Sequence, residues 1–375
     1  MDSHPLYTFI QEGYATALWR LPQTDTIQSI VDFRRVLPTQ TPVLETAPQG
    51  FWISPFLNEN LTQTYFIQAD WKAEKKGKTW NLPTNLPTEK LNFQTVRPYL
   101  LPTPKIAYNK QTEHEMLVQK GIEAISAGKM RKLVIARAKV VAYPENFDIL
   151  QTFEKLCLTY PTAFCYFFHL PQIGTWMGAT PETLIGLEGK EIFKTIALAG
   201  TQAYKGQAVR DALWSQKEIE EQALVSRYII NCFKKIRLRE FEEDGPKTVI
   251  AGHLMHLQTN FWVNMHEVDF PNLGSEMLHL LHPTSAVCGM PRAESQAFLL
   301  AHEGYDRQFY SGFLGTSNFD NNTQLFVNLR CMQLTSQGLV LYAGGGITID
   351  SLPEKEWQET ELKMKIMENV LWSVK

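Results

Sequence analysis

Apolar residues recur along this chain with the two-residue period of β-strands, interrupted by a few long helical stretches, and the two never settle into regular alternation. That irregular order is the strongest constraint on the fold. A parallel sheet built of βαβ units needs a helix after every strand, so the mixed order calls instead for α+β architecture on antiparallel sheets. Val118, Ile122 and Ile125 fall at helical spacing, with Gly128 placed to end that helix. In the strand pattern of residues 132–142 the even positions Val134, Ala136, Ala138 and Val140 share one face with Lys132. The lysine thus points where small apolar side chains point, although the pattern alone reads as a surface lysine at a strand edge. Further strands are expected at residues 164–170, 174–179 and 191–198, followed by a helix from about 211 to 236. A last helix is expected over 353–372, with Ser351 three residues before Glu354 in the spacing of a capping box. The first hundred or so residues, broken by proline-rich stretches, read as short strands and long loops. Residues 72–78 read as a solvated surface loop.

Composition narrows the function. With 375 residues the chain can bury a large core, and 36 Lys and Arg against 39 Asp and Glu give a net charge of −3. No basic field exists to attract a nucleic acid or an anionic membrane. The five cysteines are scattered without metal-ligand spacing, as expected of reduced thiols. Neither a leader pattern at Met1-Asp2-Ser3-His4 nor an apolar run of membrane-spanning length is present, so a cytoplasmic location is expected.

Two carboxylates lie on faces that periodicity reserves for the core. From Glu221, steps of four, seven and eleven reach Val225, Tyr228 and Cys232. Glu359 repeats the anomaly with Ile366 and Val370, while the residue four positions on is Lys363, so an ordinary helical ion pair is the alternative. A buried carboxylate must be paired, protonated or bound to a cation. Two of them on different helices raise the prospect of one shared divalent metal, and all-oxygen ligation favours Mg²⁺. Gly344, Gly345 and Gly346 lie between an apolar strand and the last helix, where a glycine turn either simply reverses the chain or cradles an anion. The pairs His253/His256 and His279/His282 lack the spacing of a zinc helix and read as structural or surface groups.

Taken together, Gly178-Ala-Thr-Pro-Glu-Thr-Leu184, Leu198-Ala-Gly-Thr201, residues 217–225, His282-Pro-Thr-Ser-Ala-Val-Cys-Gly-Met-Pro-Arg292, Tyr310-Ser-Gly, Arg330, Tyr342-Ala-Gly-Gly-Gly-Ile347 and Trp357-Gln-Glu-Thr-Glu-Leu-Lys363 resemble the chorismate-utilising enzymes, and within them the isochorismate synthases. The resemblance runs from about Lys110 to the C-terminus. It implies two α+β halves around a central antiparallel β-sandwich with helices outside. Residues 110–375 would be the chorismate-binding catalytic region, and 1–109 a strand- and loop-rich part of the same globule. It also implies roles. Glu221 and Glu359 would hold Mg²⁺, which binds the ring carboxylate of chorismate with help from Gly344, Gly345, Gly346 and Lys363. Arg330 and Tyr310 would hold the enolpyruvyl carboxylate. Lys132 would be the base that activates water for C2 and Glu182 the acid that protonates the C4 hydroxyl. Burial or a neighbouring anion should raise the pKa of Glu182. His256 would stand near the reacting hydroxyl, with Gly200 and Thr201 lining the pocket near the leaving group.

Two positions separate the sister activities within that resemblance. Ala199 stands where aminodeoxychorismate synthases carry a nucleophilic lysine, and Ala286 where ammonia-using lyases carry threonine. The expected activity is therefore isochorismate formation, feeding menaquinone or siderophore synthesis. Salicylate synthase, an anthranilate synthase-like lyase and a noncatalytic chorismate-binding scaffold are the alternatives. No glutaminase subunit is expected.

Overall fold

The computed structural model describes residues 5–83, 100–106, 110–189, 191–206, 208–251 and 254–372. Two antiparallel sheets form the centre, of ten and nine strands among the described residues. In the first, Lys132–Val141 lies between the short strand Gly289–Met290 and Gly338–Ile347. Cys331–Thr335, Gly174–Thr180, Phe164–Leu170 and Ala15–Arg20 follow in order across the sheet. The second carries Ile192–Ala203 between Leu254–Asn264 and Thr183–Glu188, then Asn322–Val327, Phe313–Phe319 and Gly50–Ser54.

The two sheets pack face to face through aromatic side chains. Phe164 of the ten-stranded sheet stacks on Phe326 of the other at a centroid distance of 4.1 Å, with Phe51 at 6.3 Å on the same ring. Each such ring, removed from water, contributes roughly 1.5–3 kcal/mol. The opposite face of the ten-stranded sheet is covered by the helices Ile149–Thr159 and Pro353–Trp372, where Phe167, Met177 and Leu341 meet Phe153, Met364 and Met367. Burial on both faces explains why Phe164–Leu170 is buried at every position and apolar except at His169, rather than alternating. The helix Gln216–Lys235 and the helix Leu273–Leu281 lie against the nine-stranded sheet. No helix among the described residues is long and apolar enough to cross a membrane.

Several sequence expectations change. Residues 72–78 are not a loop: Trp71–Lys76 is a strand paired with Ile27–Asp32, because Trp71 and Ala73 alternate inward while Lys72 between them faces out. The early strands fill positions in both sheets. The long helix begins at Gln216 rather than near 211, since Ser215 and Glu218 close a capping box in which the Ser215 N–H donates to Glu218 Oε2 at 2.6 Å. Ser351 does not cap the last helix. That helix starts at Pro353, and the Ser351 hydroxyl accepts from the Thr348 N–H at 3.1 Å instead. Gly344, Gly345 and Gly346 form no turn. They lie inside the strand Gly338–Ile347, in register with Ala136, Ile135 and Val134.

Candidate active site

The chain changes sheets twice at one corner. It leaves the ten-stranded sheet at Thr180 and enters the other at Thr183, and it returns between Val327 and Cys331. Glu182 occupies the first corner and Arg330 the second. The corners are joined by Val327 N–H to Glu182 O at 2.9 Å, Ala179 N–H to Arg330 O at 3.0 Å and Thr180 Oγ1 to Val327 O at 2.6 Å. Arg330 holds a left-handed φ of 48°, an unfavourable conformation for a side-chain-bearing residue that marks a site held in place by its surroundings.

A cleft of about 470 Å³ opens beside this corner and is lined by both residues. The Glu182 side chain is buried, and desolvation raises its pKa to about 7 against the opposing pull of Arg330, Lys132 and Lys363. The Arg330 guanidinium is buried yet has no ion-pair or hydrogen-bond partner among the described residues. A buried, unpaired guanidinium is a receptor for an anion. Tyr310 lines the same cleft and is stacked on Tyr342 at 5.4 Å.

Across the cleft, His256 Nδ1 donates to Gly200 O at 2.7 Å. A carbonyl only accepts, so the proton is on Nδ1 and Nε2 presents a lone pair; Nε2 is buried without a partner among the described residues. Burial, reinforced by Arg330, lowers the pKa of His256 to about 3 and keeps it neutral. Thr201 Oγ1 is 3.4 Å from the same ring, and Leu198, Ala199 and Ala286 complete the apolar part of the wall.

The third side of the site is charged. Three lysines each face one glutamate: Lys132 Nζ is 3.0 Å from Glu221 Oε1, Lys217 Nζ 2.6 Å from Glu356 Oε1, and Lys363 Nζ 2.6 Å from Glu359 Oε1. Burial would raise the pKa of Glu221, but Lys132 and Lys217 outweigh it and hold the carboxyl at about 2. Burial and the neighbouring Glu359 push Glu356 up. The glycine strand makes room for this crowd. A Cβ on Gly346 would lie 2.1 Å from Glu221 Oε1, and one on Gly344 would lie 3.0 Å from the Tyr310 hydroxyl. Gly345 points the other way, toward Glu356 and Glu359, and does not line the cleft.

Of the residues singled out in the sequence, the structure brings Glu182, Gly200, Thr201, Glu221, His256, Ala286, Tyr310, Arg330, Gly344, Gly346 and Lys363 to the wall of one cleft. Lys132 and Glu359 stand just behind it. Lys132 is fully buried and reaches the cleft past Glu221, while Glu359 reaches it through Lys363, whose ammonium also donates to Gly344 O at 2.8 Å. With the glycines in a strand, no run of free backbone N–H groups faces an anion as a glycine turn would arrange. His279 is exposed and His282 is bonded through Nε2 to Pro55 O at 3.1 Å, in line with their structural reading; His253 lies outside the described residues.

Sequence reasoning missed Glu356, Lys217, Glu303 and Arg307. The buried pair Glu303–Arg307 (2.6 Å) braces the base of the site. Glu303 accepts from the Ala136 N–H, while Arg307 donates to Val134 O and Val287 O at 2.7 and 2.8 Å. The signal for Glu356 was available, since it stands three residues before Glu359 on one helix face.

Comparison with known proteins agrees with this geometry. Residues 53–372 match the family described as chorismate binding enzyme. Isochorismate synthase EntC of Escherichia coli (strain K12) is 27% identical over 270 residues, covering 70% of this chain and 68% of that protein. Isochorismate synthase DhbC of Bacillus subtilis (strain 168) is 28% identical over 302 residues, covering 77% and 74%. The solved structure of MenF, the menaquinone-specific isochorismate synthase of Escherichia coli, has the same fold, with a TM-score of 0.77 at 20% identity over 99% of this chain and 92% of that one. With a match that spans most of its length, this chain belongs to the chorismate binding enzyme family.

Proposed function

We propose that this protein is an isochorismate synthase, converting chorismate to isochorismate by adding water at C2 as the C4 hydroxyl leaves. One observation carries the reading. A buried carboxyl whose pKa lies near 7, Glu182, and an unpaired buried guanidinium, Arg330, face a cleft whose opposite side is a cluster of lysines and glutamates. Chorismate is a small dianion, and such a cleft offers one cationic contact at each end.

Arg330 and Tyr310 bind the enolpyruvyl carboxylate, the guanidinium supplying a two-pronged donor. Lys363 and the glutamate cluster receive the ring carboxylate end. Lys132, once its own ammonium proton has passed to solvent, takes a proton from the water whose oxygen bonds to C2. The two ring double bonds shift by one position, and Glu182 gives its proton to the C4 hydroxyl, which departs as water. His256 accepts a hydrogen bond from a ring hydroxyl through its bare Nε2. Ala199 offers no amine to capture C2, and the apolar Ala286 leaves ammonia no polar partner.

The donor set also fits a hard divalent cation. Glu221, Glu356 and Glu359 supply only oxygens, and Glu356 Oε2 is buried with no hydrogen-bond partner among the described residues. Glu356 and Glu359 approach each other over Gly345, but all three are not drawn to one point: each faces its own lysine, and among the described residues no three His, Cys, Asp or Glu side chains are grouped tightly enough to share an ion. Glu221 and Glu359, with Glu356 beside them, would hold Mg²⁺. Bound there, it would supply positive charge for the ring carboxylate and neutralise the glutamates that the lysines now serve.

Incubation of the purified protein with chorismate and Mg²⁺, followed by chromatography, tests the reading. Isochorismate is the expected product. Salicylate with pyruvate as dominant products at neutral pH, or anthranilate formed only with added ammonia, would overturn it, and binding without turnover would point to a scaffold.

A further inference from the structure

Glu182 stands between two cavities. Beyond its cleft-facing side, a smaller and largely enclosed pocket lies between the helix Gln216–Lys235 and the strands Thr183–Glu188 and Ile192–Ala203. Its wall is mostly apolar, with the hydroxyl of half-buried Thr183 at its margin and three further hydroxyl groups. Two are satisfied: Thr195 Oγ1 donates to Leu184 O and the Tyr228 hydroxyl to Leu280 O, each at 2.8 Å. The third is not. Thr284 is 9% exposed, and its Oγ1 is buried with no hydrogen-bond partner among the described residues. The Glu182 carboxyl likewise receives no hydrogen bond from any described residue.

A buried hydroxyl left unsatisfied costs about 1–3 kcal/mol. A pocket with polar groups on its wall and room for about one water is where an ordered water belongs. We propose that this pocket holds a water bonded to Thr284 Oγ1 and to the Glu182 carboxyl, and that it returns to Glu182 the proton spent in each turnover. The inference rests on the reading of Glu182 as the acid of isochorismate formation. The proton balance requires that Glu182 be reprotonated in each turnover. When the C4–O bond breaks and water leaves, Glu182 is a carboxylate and Lys132 carries the extra proton. The enzyme resets when Lys132 releases one proton to solvent and Glu182 takes one up. Substrate or product in the cleft blocks the front approach to Glu182, whereas the rear pocket stays free. The half-buried Thr183, Ile196 and Tyr228 lie at the margin of that pocket. Thr284 is then a positioning residue, acting through the water.

Thr284→Val removes the hydroxyl while keeping the side-chain shape, and Thr284→Ser restores it. The expected result for Thr284→Val is a kcat lowered roughly five- to tenfold with KM for chorismate unchanged. The alkaline limb of its pH profile should be displaced, and both effects should be reversed in Thr284→Ser. A second readout needs no turnover. The Glu182 carbonyl stretch, identified by difference infrared spectra against Glu182→Gln, should shift in Thr284→Val and return in Thr284→Ser. A carbonyl stretch unmoved by Thr284→Val overturns the bound water, and an unmoved kcat and pH profile overturn its role as a relay. Failure of the unaltered protein to make isochorismate would remove the activity reading and the relay with it, while the infrared shift would still decide whether the water is there.

Discussion

Lys132 and Glu221 meet behind the cleft, Nζ to Oε1 at 3.0 Å, over a strand position that only glycine can occupy. The lysine comes from the strand Lys132–Val141 and is fully buried; the glutamate comes from the helix Gln216–Lys235 and is 13% exposed. A strand, a helix and the bare Cα of Gly346 must all be in place for that contact, so it couples the two sheets at the site.

Replacing Lys132 with methionine keeps the volume and removes the proposed base. Isochorismate formation should fall by roughly 10²–10⁴, the usual worth of a positioned acid or base. Chorismate should still bind, as read by calorimetry. Turnover at the unaltered rate would show that another group activates the water.

Gly346→Ala places a methyl group 2.1 Å from Glu221 Oε1 and 3.3 Å from Lys132 Cε. Neither atom can yield easily in a buried pair, so the carboxylate is displaced. Activity should drop at least about tenfold and the concentration of Mg²⁺ needed for half-maximal rate should rise. Gly77→Ala is the control: its Cβ meets no atom, although its φ of 61° adds some strain, so activity should be unaffected.

The Glu182 pKa of about 7 predicts a pH dependence with a definite sign. The acid must be protonated, so kcat/KM should hold below pH 7 and fall about tenfold per unit above it. Glu182→Gln should be nearly inactive, with that limb gone. A profile rising through pH 7 would assign the residue the opposite role.

Arg330→Ala should weaken chorismate binding by roughly 10- to 100-fold, since a hydrogen bond to a charged group is worth about 1.5–3 kcal/mol. Arg330→Lys should recover only part of this, because an ammonium cannot present two parallel donors to one carboxylate. Equal affinity in all three proteins, by calorimetry, would place the substrate elsewhere.

His114 tests stability rather than catalysis. It is buried against Trp357, at 5.6 Å between ring centroids, and neither ring nitrogen has a hydrogen-bond partner among the described residues. Burial, with Arg137 adding to it, lowers its pKa to about 4 from the ordinary 6.5. The unfolded chain therefore binds the proton more readily, so the stabilising contribution is complete above pH 6.5 and is lost as the pH falls toward 4. In denaturant titrations at pH 7.5 and pH 5, His114→Phe should lose about 2 kcal/mol less than the unaltered protein.

The sequence alone determined the fold class, through strand and helix periods that do not alternate, and it marked Glu221 and Glu359 as charges on core-facing stripes. The last helix and the strand Phe164–Leu170 were legible because each is long and strongly patterned. The strand Trp71–Lys76 was not, since its lysines and glutamate concealed a two-residue alternation completed only by pairing with a distant strand. The three glycines also misled: their composition suits a turn, but close approach of Glu221 and Tyr310 to a flat strand demands the same absence of side chains.

Periodicity did not place Glu182 and Arg330 together; the resemblance assigned both to one substrate, and the tertiary structure set them on one corner of the cleft. They lie about 150 positions apart, on two separate crossings from one sheet to the other, and neither residue is unusual in its local pattern. Periodicity reports which face of an element a side chain takes. It carries no information on which corners of two sheets will be hydrogen-bonded to each other, nor on how far desolvation there will move a carboxyl. The sequence could name the charges out of place, whereas the packing of two antiparallel sheets decided which of them share a cleft and at what protonation.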